Sequence, residues 1–251
     1  FAVEGLSVRF GGFQALRDVS WSVGAGRILG VIGPNGAGKS TCFMAATNMT
    51  PHSGRLWLDG ADVTQAPANR LPRLGLRRTF QQNAFFGGMS VLRNMTGALM
   101  DQAPSSLAVS VLAPWIESRR RREIEAQARR HLLRYEIAEP LHDRLPGELS
   151  YGTQRMLSIA IAAAAGARAV LLDEPAAGLG GPDMLALRRL LIRMRAEGLA
   201  IALVEHHMDL VARVSSNVVV LNFGKELTTG SIAEVRANPD VIAAYLGTTV
   251  A

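Results

Sequence analysis

One segment constrains the fold of this chain more than any other, because it combines a short apolar run, a glycine-rich turn and a helix-forming stretch. The apolar run, Arg27–Ile32, suits a strand buried in a parallel sheet. The turn satisfies the pattern G-x-x-x-x-G-K-[ST], and it comprises Gly33, Pro34, Asn35, Gly36, Ala37, Gly38, Lys39, Ser40 and Thr41. Residues Lys39–Asn48 are then predicted to form a helix. A strand, a glycine-rich turn and a helix in this order predict a phosphate-binding loop.

The chemistry of this loop follows from its residue types. Its glycines let consecutive backbone N–H groups surround phosphate oxygens, and the helix presents the positive end of its dipole. We expect the whole loop, Gly33 to Thr41, to bind nucleotide, with Lys39 at the β- and γ-phosphates and the Ser40 hydroxyl on Mg²⁺. The alternative is a chance glycine-rich turn, which the flanking strand and helix disfavour. By itself the loop identifies only a nucleoside triphosphatase.

A second apolar strand, predicted for Ala169–Leu172, ends in the adjacent acids Asp173 and Glu174. Because a buried strand edge is an expensive place for two acids, a chemical role is favoured over an ordinary exposed junction. Asp173 is expected to bind Mg²⁺, directly or through water. Glu174 is expected to accept a proton from the attacking water or to polarise it, since phosphoryl transfer depends on a positioned nucleophile.

A polar segment, Leu149–Arg155, precedes the predicted helix Met156–Ala165. Ser150 is well placed to cap that helix. The functional alternative is a second phosphate-binding helix N-terminus, with Ser150, Tyr151, Gly152 and Gln154 as cofactor-binding residues. Since the glycine-rich loop already occupies one side of the nucleotide, a second anion site in one chain suggests that a partner copy supplies it.

In their order and spacing these motifs resemble the ATP-binding subunits of ABC transporters over essentially the whole chain. The glycine-rich loop resembles Walker A, Val170–Glu174 resembles Walker B, and Leu149–Arg155 resembles the ABC signature. Tyr151 and Thr153 stand as variants at the usual glycine positions of that signature.

The resemblance implies roles for three further residues. Gln81 is similar to the Q-loop glutamine that senses Mg²⁺ and contacts the membrane partner, so it is expected among the catalytic and metal-binding residues. His206 matches the switch histidine near the γ-phosphate. Phe10 sits where the family has an aromatic residue that stacks on adenine. The alternatives are a core aromatic for Phe10 and an ordinary strand-end histidine for His206.

Within the family, several segments resemble the branched-chain amino-acid importers, and urea and amide importers share much of this pattern. They are Arg78–Gln81 with Phe85 and Phe86, the long helical insert, Asp173–Leu179 and Asn238–Gly247. Two residues depart from the subgroup. Gly180 stands where Asn is usual, in the loop that crosses to the partner subunit, and His207 stands where an acid is common.

The resemblance implies an α/β fold, with a P-loop ABC-type ATPase core, an antiparallel β subdomain and a helical subdomain at about 92–160, in a single ATP-binding domain over 1–251. It implies ATP and Mg²⁺ as cofactors and hydrolysis coupled to the import of branched-chain or other hydrophobic amino acids. The implied partners are a second ATP-binding subunit, in a homodimer or heterodimer, transmembrane permease subunits and, indirectly, a periplasmic or extracellular solute-binding protein. The permease would hold the chain at the cytoplasmic face of the inner or plasma membrane.

Composition bears on the rival functions. No stretch approaches the roughly 20 apolar residues of a membrane span, so we expect membrane contact through partners. The net charge is +6, and its densest part, Arg119–Arg122, lies among glutamates. That pattern favours a solvated helix face over a patch that faces a membrane or partner. Aromatic residues are not interleaved there as base stacking requires, so no nucleic-acid partner is expected.

Two rival functions stay open, a soluble ABC-type ATPase that acts on nucleic acid or ribosomes and an export ATPase. The first kind usually carries paired cassettes or a long coiled-coil insertion, whereas this chain has one cassette and a modest insert. Because the chain begins at Phe1, we expect it to derive from a longer polypeptide, and fusion to a permease segment stays possible as an interpretation. The single cysteine, Cys42, is predicted to be a buried small apolar residue.

Overall fold

The computed structural model describes residues 1–79, 85–100, 114–164 and 166–246. Its larger sheet contains β3 (Ile28–Ile32), β6 (Leu76–Arg78), β7 (Ala169–Asp173), β8 (Ala200–Val204), β9 (Asn217–Asn222) and β10 (Lys225–Gly230). The strand order is β10-β9-β3-β8-β7-β6. All neighbours are parallel except β10, which is antiparallel to β9. The sheet therefore confirms the predicted parallel α/β core.

The central strands explain why their sequences are continuous apolar runs. Every residue of β3, β7 and β8 is buried, as expected for strands whose two faces are both covered. Asp173, at the end of β7, is buried as well and is only 2% exposed. A charged group at such a position needs a partner or a ligand.

A second, smaller sheet is antiparallel. It contains β1 (Ala2–Phe10), β2 (Phe13–Ser22), β4 (Ser53–Leu58) and β5 (Ala61–Asp62), in the order β2-β1-β4-β5. The alternating side chains of β1 and β2 pack into one core with the first helix. Cys42 is fully buried in that core and accepts a hydrogen bond from Trp21 Nε1 at 3.2 Å, which confirms its prediction.

The helices are α1 (Lys39–Ala46), α2 (Leu71–Leu74), α3 (Val91–Met100), α4 (Pro114–Arg134), α5 (Tyr151–Ala162), α6 (Gly181–Ala196), α7 (Met208–Val214), α8 (Ile232–Ala237) and α9 (Pro239–Leu246), with 3₁₀ turns at Glu139–Leu141 and Pro146–Glu148. Helices α3, α4 and α5 share one core through Met95, Ala128 and Leu157. They fall within the region predicted as a helical subdomain, and that domain division stays a prediction. Residues 101–113 of this region lie outside the described residues.

Helix α4 carries the arginine-rich surface. Arg119 and Glu123 form an exposed i,i+4 pair at 3.0 Å, and Arg129 pairs with Glu125 at 3.1 Å, so this face is exposed as predicted. Trp115, on the same helix, is 69% exposed. Among the described helices, none combines the length and apolarity that crossing a membrane requires.

Candidate nucleotide-binding site

The topology of the larger sheet brings the predicted chemical residues to one edge. Val204, at the end of β8, is paired with Val31 of β3 and with Asp173 of β7. The segments that follow these three strands therefore leave the sheet side by side. They are the glycine-rich loop, the Glu174 segment and the segment that contains His206. In open parallel sheets, ligands bind at this carboxyl edge.

The glycine-rich loop needs glycine for steric reasons at two positions. Gly33 and Gly38 have φ of +151° and +100°. A Cβ at Gly33 would lie 2.1 Å from the Leu221 carbonyl oxygen, and one at Gly38 would lie 2.8 Å from Leu16 Cδ2. Gly36 also has a positive φ, 78°, yet apart from its chain neighbours no atom of the described residues lies within 4 Å of the position that a Cβ would take there. Gly36 is therefore uncrowded, and only its positive φ favours glycine.

Helix α1 begins directly after the loop. Its N-cap, Gly38, provides no side-chain cap, and no acid stands in the first turn. The first N–H groups of a helix have no partner within the helix, so the N–H groups at this end are suited to an anion.

Lys39 folds back over the loop that it ends. Its Nζ donates to the carbonyl oxygens of Gly33 at 2.7 Å and Pro34 at 2.8 Å. Burial lowers the pKa of Lys39, and the carboxylates of Glu174 and Asp173 act in the opposite direction. The ammonium group is therefore within electrostatic reach of both predicted catalytic and metal-binding acids.

Among the described residues, only one of the two carboxylate oxygens of Asp173 has a side-chain partner. Its Oδ2 accepts from Arg78 at 2.8 Å, in a pair whose side chains are 9% and 3% exposed for Arg78 and Asp173. Its Oδ1 is buried and has no hydrogen-bond partner among the described residues. A buried carboxylate oxygen without a donor suits a hard cation, and Mg²⁺ typically takes one or two carboxylates together with substrate oxygens. The residues present therefore fit the expected Mg²⁺.

Glu174 and His206, the two predicted catalytic residues of the described chain, are in contact. His206 Nε2 lies 2.7 Å from Glu174 Oε1, and an ionised Glu174 can only accept, so Nε2 donates in that state. Glu174 has a φ of +47°, which is uncommon for a residue other than glycine. Its backbone N–H donates to the Val204 carbonyl at 3.0 Å, which fixes this turn against the end of β8.

Glu205 is a site residue that the sequence analysis missed. It is 2% exposed, and its carboxylate accepts three backbone N–H groups. Oε1 accepts from Ala176 at 2.7 Å, while Oε2 accepts from His206 at 3.0 Å and from His207 at 3.3 Å. Glu205 therefore ties the segment after β7 to the segment after β8. An acid directly before His206, at the end of an apolar strand, was the available sequence signal.

A cleft of about 310 Å³ opens at this edge, a volume typical of ligand sites. It is lined by the loop from Asn35 to Thr41, by Glu174 and His206, by Phe13, Gln14 and Ala15, and by Phe223 and Gly224. Phe10 is 49% exposed and pairs with Phe13 across the β1–β2 turn. Among the described residues Phe13 lines the cleft and Phe10 does not, and the predicted contact of Phe10 with adenine stays a prediction.

The segment that resembles the signature lies apart from this cleft. Ser150 caps α5 by accepting from the Thr153 N–H at 3.3 Å, which confirms its capping role. Gln154 Nε2 donates to the Leu149 carbonyl at 3.0 Å. Within the described chain, Ser150, Tyr151, Gly152 and Gln154 do not line the cleft. Their predicted contact with nucleotide stays a prediction that needs a second chain, and Gln81 lies outside the described residues.

The loop after Glu174 packs against this segment. The Tyr151 hydroxyl donates to the Ala177 carbonyl at 3.1 Å, and the Arg155 guanidinium lies 5.5 Å from the centre of the Tyr151 ring. Gly180 is the N-cap of α6 at an ordinary φ of −131°. Apart from its chain neighbours, no atom of the described residues lies within 4 Å of a Cβ placed there, so steric crowding does not explain the departure from Asn.

The comparisons with known proteins agree with this geometry. The family model described as ABC transporter matches residues 16–177, and the model described as branched-chain amino acid ATP-binding cassette transporter matches residues 226–251. The chain is 36% identical over 247 residues to the high-affinity branched-chain amino acid transport ATP-binding protein BraF of Pseudomonas aeruginosa, with 98% of this chain and 96% of that protein covered. It is 37% identical over 248 residues to LivG of Salmonella typhimurium, with 98% and 97% covered.

A solved structure shares the fold. The ADP conformation of an ATP-binding cassette of an ABC transporter matches with a TM-score of 0.83 and 29% identity, and 98% of each chain is covered. Members of this family hydrolyse ATP to power transport. From the shared fold, the arrangement of the nucleotide-binding motifs and the near full-length similarity, we conclude that the chain belongs to the ATP-binding proteins of ABC transporters.

Proposed function

We propose that this chain hydrolyses ATP to drive the import of branched-chain or other hydrophobic amino acids through a membrane permease. The observation that carries the ATPase part is the convergence of Lys39, Glu174 and His206 on one cleft, beside the buried Asp173. The similarity of residues 226–251 to the branched-chain amino acid cassette family supports the choice of solute. BraF and LivG, which are similar over nearly their full length, support it as well.

The glycine-rich loop would hold the phosphates. Its backbone N–H groups and the start of α1 present partial positive charge to the anion. Lys39 Nζ now contacts two loop carbonyls, and it would exchange these for β- and γ-phosphate oxygens. Such an exchange replaces neutral acceptors by charged ones, which form stronger hydrogen bonds with an ammonium group.

Asp173 and the Ser40 hydroxyl would hold Mg²⁺, with Gln81 as a predicted third contributor. When bound, Mg²⁺ supplies positive charge that offsets the charge of the phosphate oxygens. Arg78 holds the Asp173 carboxylate through Oδ2, so Oδ1 would be the oxygen available to Mg²⁺.

Glu174 would act as the base or polarising group for the attacking water. His206 contacts its Oε1, which orients the carboxylate and leaves Oε2 for a water molecule. The water must lie within hydrogen-bond reach of that oxygen. His206 would therefore position Glu174 and contact the terminal phosphate from the same side of the cleft.

A second ATP-binding subunit would complete the site. The N-terminus of α5 is exposed, with Tyr151 48% exposed, and its Ser150–Gly152 segment lies apart from the chain's own cleft. In a head-to-tail pair this segment would face the partner's phosphate loop. Closure of the pair would move permease subunits docked near residues 81–88 and the helical region, at the cytoplasmic face of the membrane. A solute-binding protein would act on the other side.

The substitution Glu174→Gln tests the ATPase mechanism. The amide keeps the size of the side chain but cannot accept the water proton, so ATP binding is retained while turnover falls by about 10²–10⁴-fold. The variant should accumulate as a nucleotide-bound dimer, which size-exclusion chromatography with ATP detects. Glu139→Gln, at an exposed position away from the cleft, is the matched control. Full ATPase activity in the Glu174 variant would contradict the role proposed for Glu174.

The solute is tested in the assembled transporter. The complex purified with its permease and solute-binding protein, in liposomes, should show ATPase activity that leucine, isoleucine or valine stimulates. Stimulation by urea or short amides instead would identify the related importer type. ATPase activity that nucleic acid or ribosomes stimulate, without any response to solutes, would refute the transport function.

A further inference from the structure

The turn between β9 and β10 presents an aromatic side chain that the fold itself does not explain. Phe223 is 86% exposed, so it contributes little to the core. Its φ is +45°, a value that is a genuine outlier for a bulky residue. The two-residue hairpin loop accounts for this backbone, because such turns have positive φ at both central residues and Gly224 has a φ of +73°. The hairpin geometry does not call for a bulky, exposed ring at the first of these positions, and that residue lines the adjacent cleft.

The Phe223 turn is fixed to the phosphate-binding loop. The Gly224 N–H donates to the Ala37 carbonyl at 3.0 Å, and the Gly224 carbonyl accepts from the Arg17 N–H at 2.7 Å. A Cβ at Gly224 would lie 2.3 Å from the Ala15 carbonyl oxygen. The backbone of the turn is thus held between the loop and β2 at close range, which places Phe223 beside the loop that would bind the phosphates.

Phe13 contributes a second aromatic ring to the same cleft. Both Phe13 and Phe223 line it, and Phe13 is 69% exposed. In the part of the chain that the structure describes, neither ring contacts another aromatic side chain. The polar side of the cleft is the phosphate loop with Lys39, so the two rings supply the apolar surface that a nucleobase needs.

We propose that Phe223 contacts the nucleobase of the bound nucleotide and forms, with Phe13, the two aromatic walls of the base site. This inference rests on the proposed function, because it needs a nucleotide whose phosphates occupy the loop. Stacking uses the π-face that every base has, so it adds affinity without selecting strongly among bases. Phe223 supplies that contact from a turn far in sequence from the β1–β2 hairpin.

The test uses Phe223→Asn, because Asn tolerates a positive φ better than Phe does. The variant should therefore fold with an unchanged or raised Tm. Its Kd for ATP, measured by calorimetry, should rise about tenfold, which corresponds to about 1.4 kcal/mol of lost stacking. Its Kd for inorganic tripolyphosphate, which has no base, should stay within about twofold of wild type. Phe223→Tyr should retain wild-type ATP affinity, because the tyrosine ring can stack on the base as the phenylalanine ring does.

The control is Phe86→Ala, which removes another exposed aromatic side chain, 69% exposed, that does not line the cleft. It should leave ATP affinity unchanged. Unaltered ATP affinity in Phe223→Asn would overturn the inference, and so would an equal loss of tripolyphosphate binding, which would place the effect at the loop. If wild type itself fails to bind ATP, or binds it without dependence on Lys39, the proposed function fails rather than the role of Phe223.

Discussion

The substitution Glu205→Gln gives the sharpest test of how the site is held together. The carboxylate of Glu205 accepts from Ala176 through Oε1 and from His206 and His207 through Oε2. An amide has one acceptor oxygen and one NH₂ donor. Whichever way the amide is turned, the NH₂ group therefore faces at least one backbone N–H. In the better orientation the oxygen keeps the two histidine N–H groups, and the buried Ala176 N–H loses its partner.

The expected cost follows from these contacts. A buried donor without a partner costs about 1–3 kcal/mol, and the two surviving bonds lose their charge assistance. Relief from burying a charge works in the opposite direction. We therefore expect the free energy of unfolding to fall by about 2–4 kcal/mol, which lowers Tm by about 5–10 °C in a chain of this size.

Urea unfolding followed by circular dichroism measures this loss. An unchanged m-value would show that the variant exposes the same surface area on unfolding as the wild type. Glu139→Gln is the control, and its effect should stay within about 0.5 kcal/mol. Glu205 does not line the cleft, so it can affect catalysis only through the residues that it holds. Misplacement of His206 and Glu174 should lower kcat by about tenfold or more. The Kd for ATP should change by less than about threefold, as the loop contacts remain. A variant with wild-type stability and wild-type kcat would refute the reasoning.

Two further predictions concern Cys42 and Arg78. Burial raises the pKa of Cys42 to about 12 from 9.0. At pH 8 the folded chain therefore holds about a thousandfold less thiolate than the unfolded chain. Thiol labelling should proceed at the rate of unfolding, and fast labelling of native protein would contradict this. The unfolded thiol also ionises above pH 9 while the folded thiol does not, so stability should decrease as pH rises from about 9 toward 12. Arg78→Ala leaves the Asp173 carboxylate buried without its partner and should cost about 3–5 kcal/mol in urea unfolding. The control Arg168→Ala removes an exposed pair with Asp59 and should cost at most about 1 kcal/mol. Equal losses of stability in both variants would contradict the prediction that the buried Arg78–Asp173 pair costs more to break.

The part of the site that could be predicted from sequence is the part carried by local motifs. Lys39, Asp173, Glu174 and His206 each stand at the end of a strand or loop with a recognisable pattern, and the described structure brings them to one sheet edge. Their roles in binding and hydrolysis stay predictions. The parallel α/β core was predictable for the same reason, since its buried strands are short apolar runs between turns.

The residues that escaped prediction act across long sequence separations. Arg78 and Asp173 are 95 residues apart, and Glu205 and Ala176 are 29 apart, so only the strand order reveals these pairs. The same holds for Phe13 and Phe223, which come from different sheets and meet at one cleft. Phe10 and Phe13 pair across one turn, and only the folded hairpin shows that Phe13 lines the cleft.

Glu205 also connects the chain's own hydrolytic residues to its exposed signature segment. The Tyr151 hydroxyl donates to the Ala177 carbonyl, and the adjacent Ala176 N–H donates to Glu205. Glu205 accepts in turn from the His206 N–H, and the His206 ring contacts Glu174. Hydrogen bonds, together with the backbone of Ala176 and Ala177 and the His206 residue, thus connect Tyr151, on the surface proposed to face a partner, to Glu174. Because each of these groups contacts the next, we expect a displacement of the signature helix to shift Glu174 and His206, and Tyr151→Phe, which removes the hydroxyl at the start of the chain of contacts, should weaken that coupling.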